Sequence, residues 1–225
     1  MKLKNNVRLL VTCDSGAGAG KTTAAKFLSK RYDLNLLTSG LLYRMVAHKL
    51  IVSKKKITDI KFLKKITKNI NPKHLKNHKL YSPEVTEFTA KISKIKRVRI
   101  LLRGYQTRFA RKRLAVLEGR DQGILFNKAD VKFFFKCSLK IAAKRRFKEF
   151  RKTNKKITLK EVESSIKSRN YADVTRTFMP LRIPPGAVIV STSSISKKEM
   201  FKQISKIIEK KLFLKYGRNY KAGTK

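Results

Sequence analysis

Lys21, Thr22 and Thr23 end a run of small residues, Ser15-Gly16-Ala17-Gly18-Ala19-Gly20. Glycines let a backbone wind so that several N–H groups point inward at one anion, and a lysine placed after them reaches its outer oxygens. The Thr22 hydroxyl can serve a Mg²⁺ bound to the same anion. Holding the phosphates of a nucleoside triphosphate needs these residue types in this order. Ser15 stands where the strict Gly-x-x-x-x-Gly-Lys-Ser/Thr pattern has glycine, and Gly16 follows one place later. An ordinary flexible loop would account for the glycines and alanines, but not for the Lys-Thr pair.

Such a loop works only between a strand and a helix, because the helix brings its positive dipole end to the anion. The apolar run at 7–13 predicts the strand, and 20–32 predicts the helix. Further strands are expected at 34–37, 114–117, 131–137 and 187–191. Helical spacing marks a segment from Leu41, a lysine-rich section over 53–77 that Asn71-Pro72 breaks, and a helix opened by Ser82-Pro83-Glu84. It continues over 97–112, with Val98, Leu101, Leu102, Tyr105 and Phe109 on one side, and over 141–151 and 196–214. Five short apolar strands separated by helices imply an α/β fold with a five-stranded parallel sheet. Ligands then bind at the carboxyl ends of the strands, where the glycine-rich loop lies.

The chain has 225 residues, with 57 Lys plus Arg against 14 Asp plus Glu, a net charge of +43. The lysines are scattered from end to end, which reads as solvated surface rather than a specific nucleic-acid site. Weak, salt-sensitive, non-specific attraction to polyanions is expected. No stretch approaches the roughly 18 apolar residues of a membrane span. Cleavage of a signal peptide would discard the loop, so a cytoplasmic protein is expected. Cys13 and Cys137 have no Cys-x-x-Cys spacing, which fits a reducing compartment and excludes a zinc knuckle.

Further motifs are more particular. Thr38-Ser39-Gly40-Leu41-Leu42-Tyr43-Arg44 follows the second strand. It resembles the Asp-Thr/Ser-Gly-x-x-Tyr-Arg motif of the bacterial cytidylate kinases, nucleoside monophosphate kinases of the P-loop class. Ser82-Pro83-Glu84-Val85 and Arg97-Val98-Arg99 through Gln106 resemble that family's acceptor-binding insertion and the helix after it. Glu118-Gly119-Arg120-Asp121-Gln122-Gly123 resembles its Gly-Arg-Asp-x-Gly segment, and Ala129-Asp130 matches the approach to the next strand. Ile166-Lys167-Ser168-Arg169 through Asp173, Arg176, Pro180 and Leu181 is similar to its arginine-bearing lid. The likeness runs in order from about Val7 to about Ile208.

The resemblance implies a single three-layer P-loop kinase domain with an acceptor-binding helical insertion at 53–96 and a lid segment at 151–180; the basic end of the chain, 216–225, reads as a flexible tail. It implies transfer of a phosphoryl group from ATP, with Mg²⁺, to CMP or dCMP by a monomeric enzyme. ATP would lie on Ser15, Gly16, Ala17, Gly18, Ala19, Gly20, Lys21, Thr22 and Thr23. Lys21, Arg169 and Arg176 would neutralise the transferring group, as phosphoryl transfer needs two anions held in line with their charges screened. Ser39, Arg44, Arg99, Arg120, Asp121, Asp173 and Arg176 would bind the acceptor. Arg44 and Arg176 would hold its phosphate, Arg99 the ring acceptors, Asp121 the amino group and Asp173 a sugar hydroxyl. A surface ion pair is the bland reading of Arg120-Asp121, worth about 0–1 kcal/mol. The chain departs from the family pattern at Thr38 (aspartate in the family), Tyr81 (arginine), Ala90 (serine, with Thr89 adjoining) and Ala172 (arginine).

Other readings compete. A nucleoside monophosphate kinase of other base specificity, for UMP, is one alternative, and the charge keeps a nucleic-acid-binding P-loop protein open as another. The latter predicts basic residues grouped on one face with exposed aromatics, whereas Phe133-Phe134-Phe135 reads as a buried strand. Asn127-Lys128-Ala129-Asp130 matches the guanine-reading Asn-Lys-x-Asp of small GTPases, but it precedes a strand instead of following one. His74 and His78, four apart, lack a third ligand and read as solvated surface.

Overall fold

Short apolar runs belong inside a sheet. The computed structural model, which describes residues 1–151 and 156–222, builds one sheet from five of them. They are β1 (Leu9–Ser15), β2 (Asn35–Thr38), β3 (Leu114–Gly119), β4 (Val131–Lys136) and β5 (Val188–Ser191), in the order β2-β3-β1-β4-β5. The sheet is parallel, so β1 is flanked by β3 and β4 with every carboxyl end pointing the same way. Asp14 pairs with Gly119 and Ser15 with Phe135, which sets the start of the glycine-rich loop beside the ends of both neighbours.

The chain divides into two compact units. The first comprises Met1–Leu36 and Arg113–Lys225. Its core joins Val11, Cys13, Phe133, Phe135 and Val190 to Ala24 and Leu28 of α1 (Lys21–Tyr32). The C-terminal helix Lys197–Tyr216 adds Met200, Ile204, Ile208 and Leu212. Phe27 stacks on Phe201 with ring centroids 4.0 Å apart, and the Tyr32 hydroxyl meets Glu209 at 3.1 Å. Leu28 is wholly buried, and cutting such a side chain to alanine costs about 2–5 kcal/mol.

In the same unit the helices Leu139–Phe150 and Leu159–Thr175 close on each other through Ala142, Ala143, Val162 and Ile166. Thr158 and Glu161 form a capping box at the start of the second of these, and Ser196 and Glu199 repeat it at the C-terminal helix. Residues 152–155 of the lid segment read from the sequence lie outside the described residues. Of the tail expected at 216–225, the structure describes residues as far as 222. Tyr220 is buried, Lys4 donates to its carbonyl at 3.1 Å, and Ala222 donates to Lys2 at 3.0 Å. Composition hid this because only Leu3 and Tyr220 supply the burial between many charged neighbours; residues 223–225 lie outside the described residues.

The second unit, Leu37–Lys112, is helical after the end of β2 and extends on both sides of the 53–96 insertion read from the sequence. Its helices are α2 (Ser39–Val52), α3 (Ile60–Lys68), α4 (Pro83–Ile92) and α5 (Lys96–Ala110). Asp59 caps α3, and Ser82 caps α4, where Pro83 fits the first turn that needs no donor. The expected break at Asn71-Pro72 is present, followed by short 3₁₀ turns at Pro72–Lys76 and His78–Tyr81. The buried stripe of α5 is Val98, Arg99, Leu102 and Gln106. Two polar side chains thus sit where apolar spacing pointed to Leu101, Tyr105 and Phe109, which are only half-buried.

Candidate active site

The loop after β1 needs its glycines for two different reasons. Gly18 (φ 74°) and Gly20 (φ 86°) are left-handed, a conformation open to glycine at little cost. A Cβ on Gly18 would also stand 2.9 Å from that of Ala142. Gly20 is the residue before α1, so the helix amides and dipole face into the loop. Lys21 opens α1, and its Nζ lies 3.5 Å from the Gly16 carbonyl and 3.5 Å from Glu118 Oε1. Burial, then the Arg120 guanidinium, push the Lys21 pKa down to about 8 against the pull of Glu118.

The end of β3 faces this lysine with a chain of charges. Arg120 Nη1 donates to the Ser15 carbonyl at 2.7 Å, and its Nε lies 2.7 Å from Asp173 Oδ2. Burial holds the Arg120 pKa down, to about 10. Arg176 reaches Asp173 Oδ1 at 3.3 Å and Asp121 Oδ2 at 3.7 Å. Its Nε donates to the carbonyl of Met179 at 2.5 Å, a residue held at φ 54°, a strained conformation for a side chain of that size. Arg169, on the same helix as Asp173, is exposed. Arg120, Asp173, Arg176 and Asp121 therefore form one connected set, with the charge of Arg120 felt at Lys21, and the bland reading of a solvent-screened Arg120-Asp121 pair fails because these groups are mostly buried and pair elsewhere.

Spacing drew no attention to three further residues. Asp14 is fully buried and accepts the amides of Gln122 at 2.9 Å and Gly123 at 2.6 Å. Burial pushes its pKa up to about 7 even against those two donors. Glu118 is buried beside Lys21 with Oε2 making no hydrogen bond. Asn170 accepts from the Ala17 amide of the loop at 2.8 Å. The signal for Asp14 and Glu118 was a carboxylate inside an apolar strand run, which is rare there unless a partner or a ligand requires it.

The remaining acceptor candidates belong to the helical unit. Ser39 is buried at the first position of α2. Arg44 donates to the Leu80 carbonyl at 2.7 Å and to Thr86 at 2.8 Å, with Tyr81 facing its guanidinium 5.3 Å away. Arg99 donates to the Ser93 carbonyl at 2.9 Å and lies 5.5 Å from the Tyr43 ring centre. The Thr89 hydroxyl is buried without a hydrogen-bond partner, whereas Ala90 is exposed.

Asp130 plays a structural part. It accepts from the Leu10 amide and from Lys215, each at 2.8 Å, ahead of β4 and at the end of the sheet away from the loop. His74 and His78 are exposed, and among the described residues no cluster of three His, Cys, Asp or Glu could hold a metal by itself.

A family model described as cytidylate kinase matches residues 11–210. The chain belongs to the cytidylate kinase family. It is 32% identical over 213 residues to the cytidylate kinase of Fusobacterium nucleatum, covering 90% of this chain and 98% of that one. It is 33% identical over 202 residues to that of Bartonella quintana, covering 89% and 94%. An uncharacterized protein from Eubacterium ventriosum shares the fold, with a TM-score of 0.55 at 12% identity over 90% of this chain and 99% of that one.

Proposed function

We propose that the chain transfers the γ-phosphoryl group of ATP to CMP or dCMP, giving ADP and CDP or dCDP. The observation that carries this reading is a set of charges at the mouth of a phosphate loop: the Lys21–Glu118 pair, and the ion pairs that join Arg120, Asp173, Arg176 and Asp121. As the acceptor's phosphate oxygen bonds to Pγ, the bridging P–O bond to the β-phosphate breaks and charge shifts onto the leaving diphosphate. Lys21, with the loop amides of 15–23, stabilises that charge, and Arg169 and Arg176 neutralise the group in flight. Arginine suits this role because its planar fork binds phosphate oxygens two at a time.

Arg44 and Arg176 hold the acceptor's phosphate, and Arg120 fixes Asp173, which meets a sugar hydroxyl. Asp121 accepts from the cytosine amino group and Arg99 serves the ring acceptors, and Ser39 is a further acceptor-binding residue. The unpartnered Thr89 hydroxyl supports its use in reading the base, beside the position where the family's serine is Ala90. Tyr81, replacing an arginine of the family pattern, faces Arg44 and supplies packing in place of charge.

The residues also fit a magnesium ion carried in with ATP. Mg²⁺ is held chiefly by phosphates and waters with one or two protein oxygens, and the orphaned Oε2 of Glu118 together with the Thr22 hydroxyl are such oxygens. When bound, the ion screens the β- and γ-oxygens. No helix of the described residues is long and apolar enough to cross a membrane. The reading is of a monomeric enzyme acting in the cytoplasm, where its nucleotide substrates are. An assay coupling ADP release to each nucleoside monophosphate in turn tests the proposal. CMP and dCMP should be turned over well, UMP poorly and purines not at all; equal turnover of UMP would favour the broader pyrimidine reading.

A further inference from the structure

Asn170 lies on the helix that carries Arg169, Asp173 and Arg176, yet its side chain serves the phosphate loop. Its Oδ1 accepts the Ala17 amide at 2.8 Å. A Cβ on Gly16 would stand 2.9 Å from the same oxygen, so the carboxamide is pressed against the loop backbone. One turn earlier Ile166 packs with Ala142, Ala143 and Val162, and Ala17 lies against that cluster. The contact is thus the polar tip of a packed junction between helix and loop.

The chemistry of that amide gives the contact its meaning. A phosphate loop binds ATP through backbone N–H groups, and the amide of Ala17, a residue of this loop, is engaged by a neutral oxygen. A phosphate oxygen forms a charge-assisted bond to such a donor, roughly twice as strong as a neutral one. We propose that Asn170 is a positioning residue that competes with a phosphate oxygen for the Ala17 amide, so that ATP must displace it in order to bind. Asp173 and Arg176 lie three and six residues further along, the first within the same helix and the second as its C-terminal cap. Displacement of Asn170 therefore frees the arginine-bearing helix as the triphosphate arrives, and couples ATP occupancy to the rearrangement of the Asp173–Arg176 and Arg176–Asp121 pairs. The inference rests on the reading of the loop as the ATP site.

The test is calorimetric titration of the full chain with MgATP, without acceptor, for the wild type, Asn170→Ala, Asn170→Ser and Asn170→Asp. Alanine has no acceptor and serine is too short to reach the amide, so both should bind ATP about 2- to 10-fold more tightly, the span that one lost neutral hydrogen bond supports. Aspartate keeps the acceptor and adds charge, so it should show no such gain. Hydrogen exchange at 165–175 in the empty protein should rise in the alanine and serine variants alone. Wild-type binding with unchanged or weaker affinity in both of those variants would overturn this inference and leave the ATP site standing. A wild type that binds no ATP would overturn both.

Discussion

The carboxylate of Asp14, inside the strand that delivers the phosphate loop, accepts the amide of Gly123 at 2.6 Å. A second bond, from Gln122 at 2.9 Å, goes to its other oxygen. The pair ties the root of the loop to the turn that carries Arg120 and Asp121, more than a hundred positions away in sequence. Asp14→Ala leaves two buried N–H groups unmet, each worth about 1–3 kcal/mol. The variant should melt lower and lose turnover together, and chemical denaturation beside the kinase assay checks both. Asp14→Asn, which offers one acceptor and a clashing donor, should rescue neither fully.

Lys21→Ala should leave the melting temperature close to that of the wild type while removing most turnover. One lost contact to transition-state charge costs on the order of 3–4 kcal/mol, or about 10²–10³ in kcat. Steady-state kinetics against a thermal melt separates this from a folding defect. Near-normal kcat would remove Lys21 from the mechanism.

The depressed pKa of Lys21, about 8, gives a pH signature. The lysine is charged below that value and neutral above it. kcat/KM for ATP, which reports the free enzyme, should be flat below pH 8 and fall above it. Lys21→Arg should move the fall to much higher pH. Stability runs the other way: the native state binds fewer protons than the unfolded chain between about 8 and 10.5. Wild-type stability should therefore rise across that window, and it should not in Lys21→Ala.

Asp121 is buried, accepts from the Gln122 side chain at 3.2 Å and faces Arg176. If it reads the cytosine amino group, Asp121→Ala should raise KM for CMP by about 10-fold or more and narrow the preference for CMP over UMP. Loss of one hydrogen bond to a charged group, about 1.5–3 kcal/mol, sets that scale. Equal losses on both acceptors would make Asp121 a support for Arg176 instead.

The parallel sheet is legible in the sequence because β1, β3 and β4 each carry a short apolar run, 9–11, 114–117 and 133–135, and the loop because its glycines are followed by the Lys21-Thr22 pair. Arg120, Asp121, Asp173 and Arg176 are legible as an ordered set of motifs. Asp14 and Glu118 are not, since a carboxylate inside a strand declares its role only when its partners, Gly123 or Lys21, arrive from distant sequence. Asn170 escapes for a similar reason: a lone amide beside Arg169 on the helix Leu159–Thr175 has no periodicity. The stripe of α5 misleads because Arg99 and Gln106 are buried among it, which apolar spacing cannot register. The C-terminal segment looks free in the sequence because Tyr220 is its only buried anchor among the described residues.

The most direct test of the account is to follow the label from ATP radiolabelled at the γ-phosphorus, with CMP as acceptor and Mg²⁺ present, and to separate the products. The account predicts label in CDP at a rate that depends on CMP, with little in inorganic phosphate. Label released only as inorganic phosphate, or retained in ATP whichever monophosphate is supplied, would contradict it.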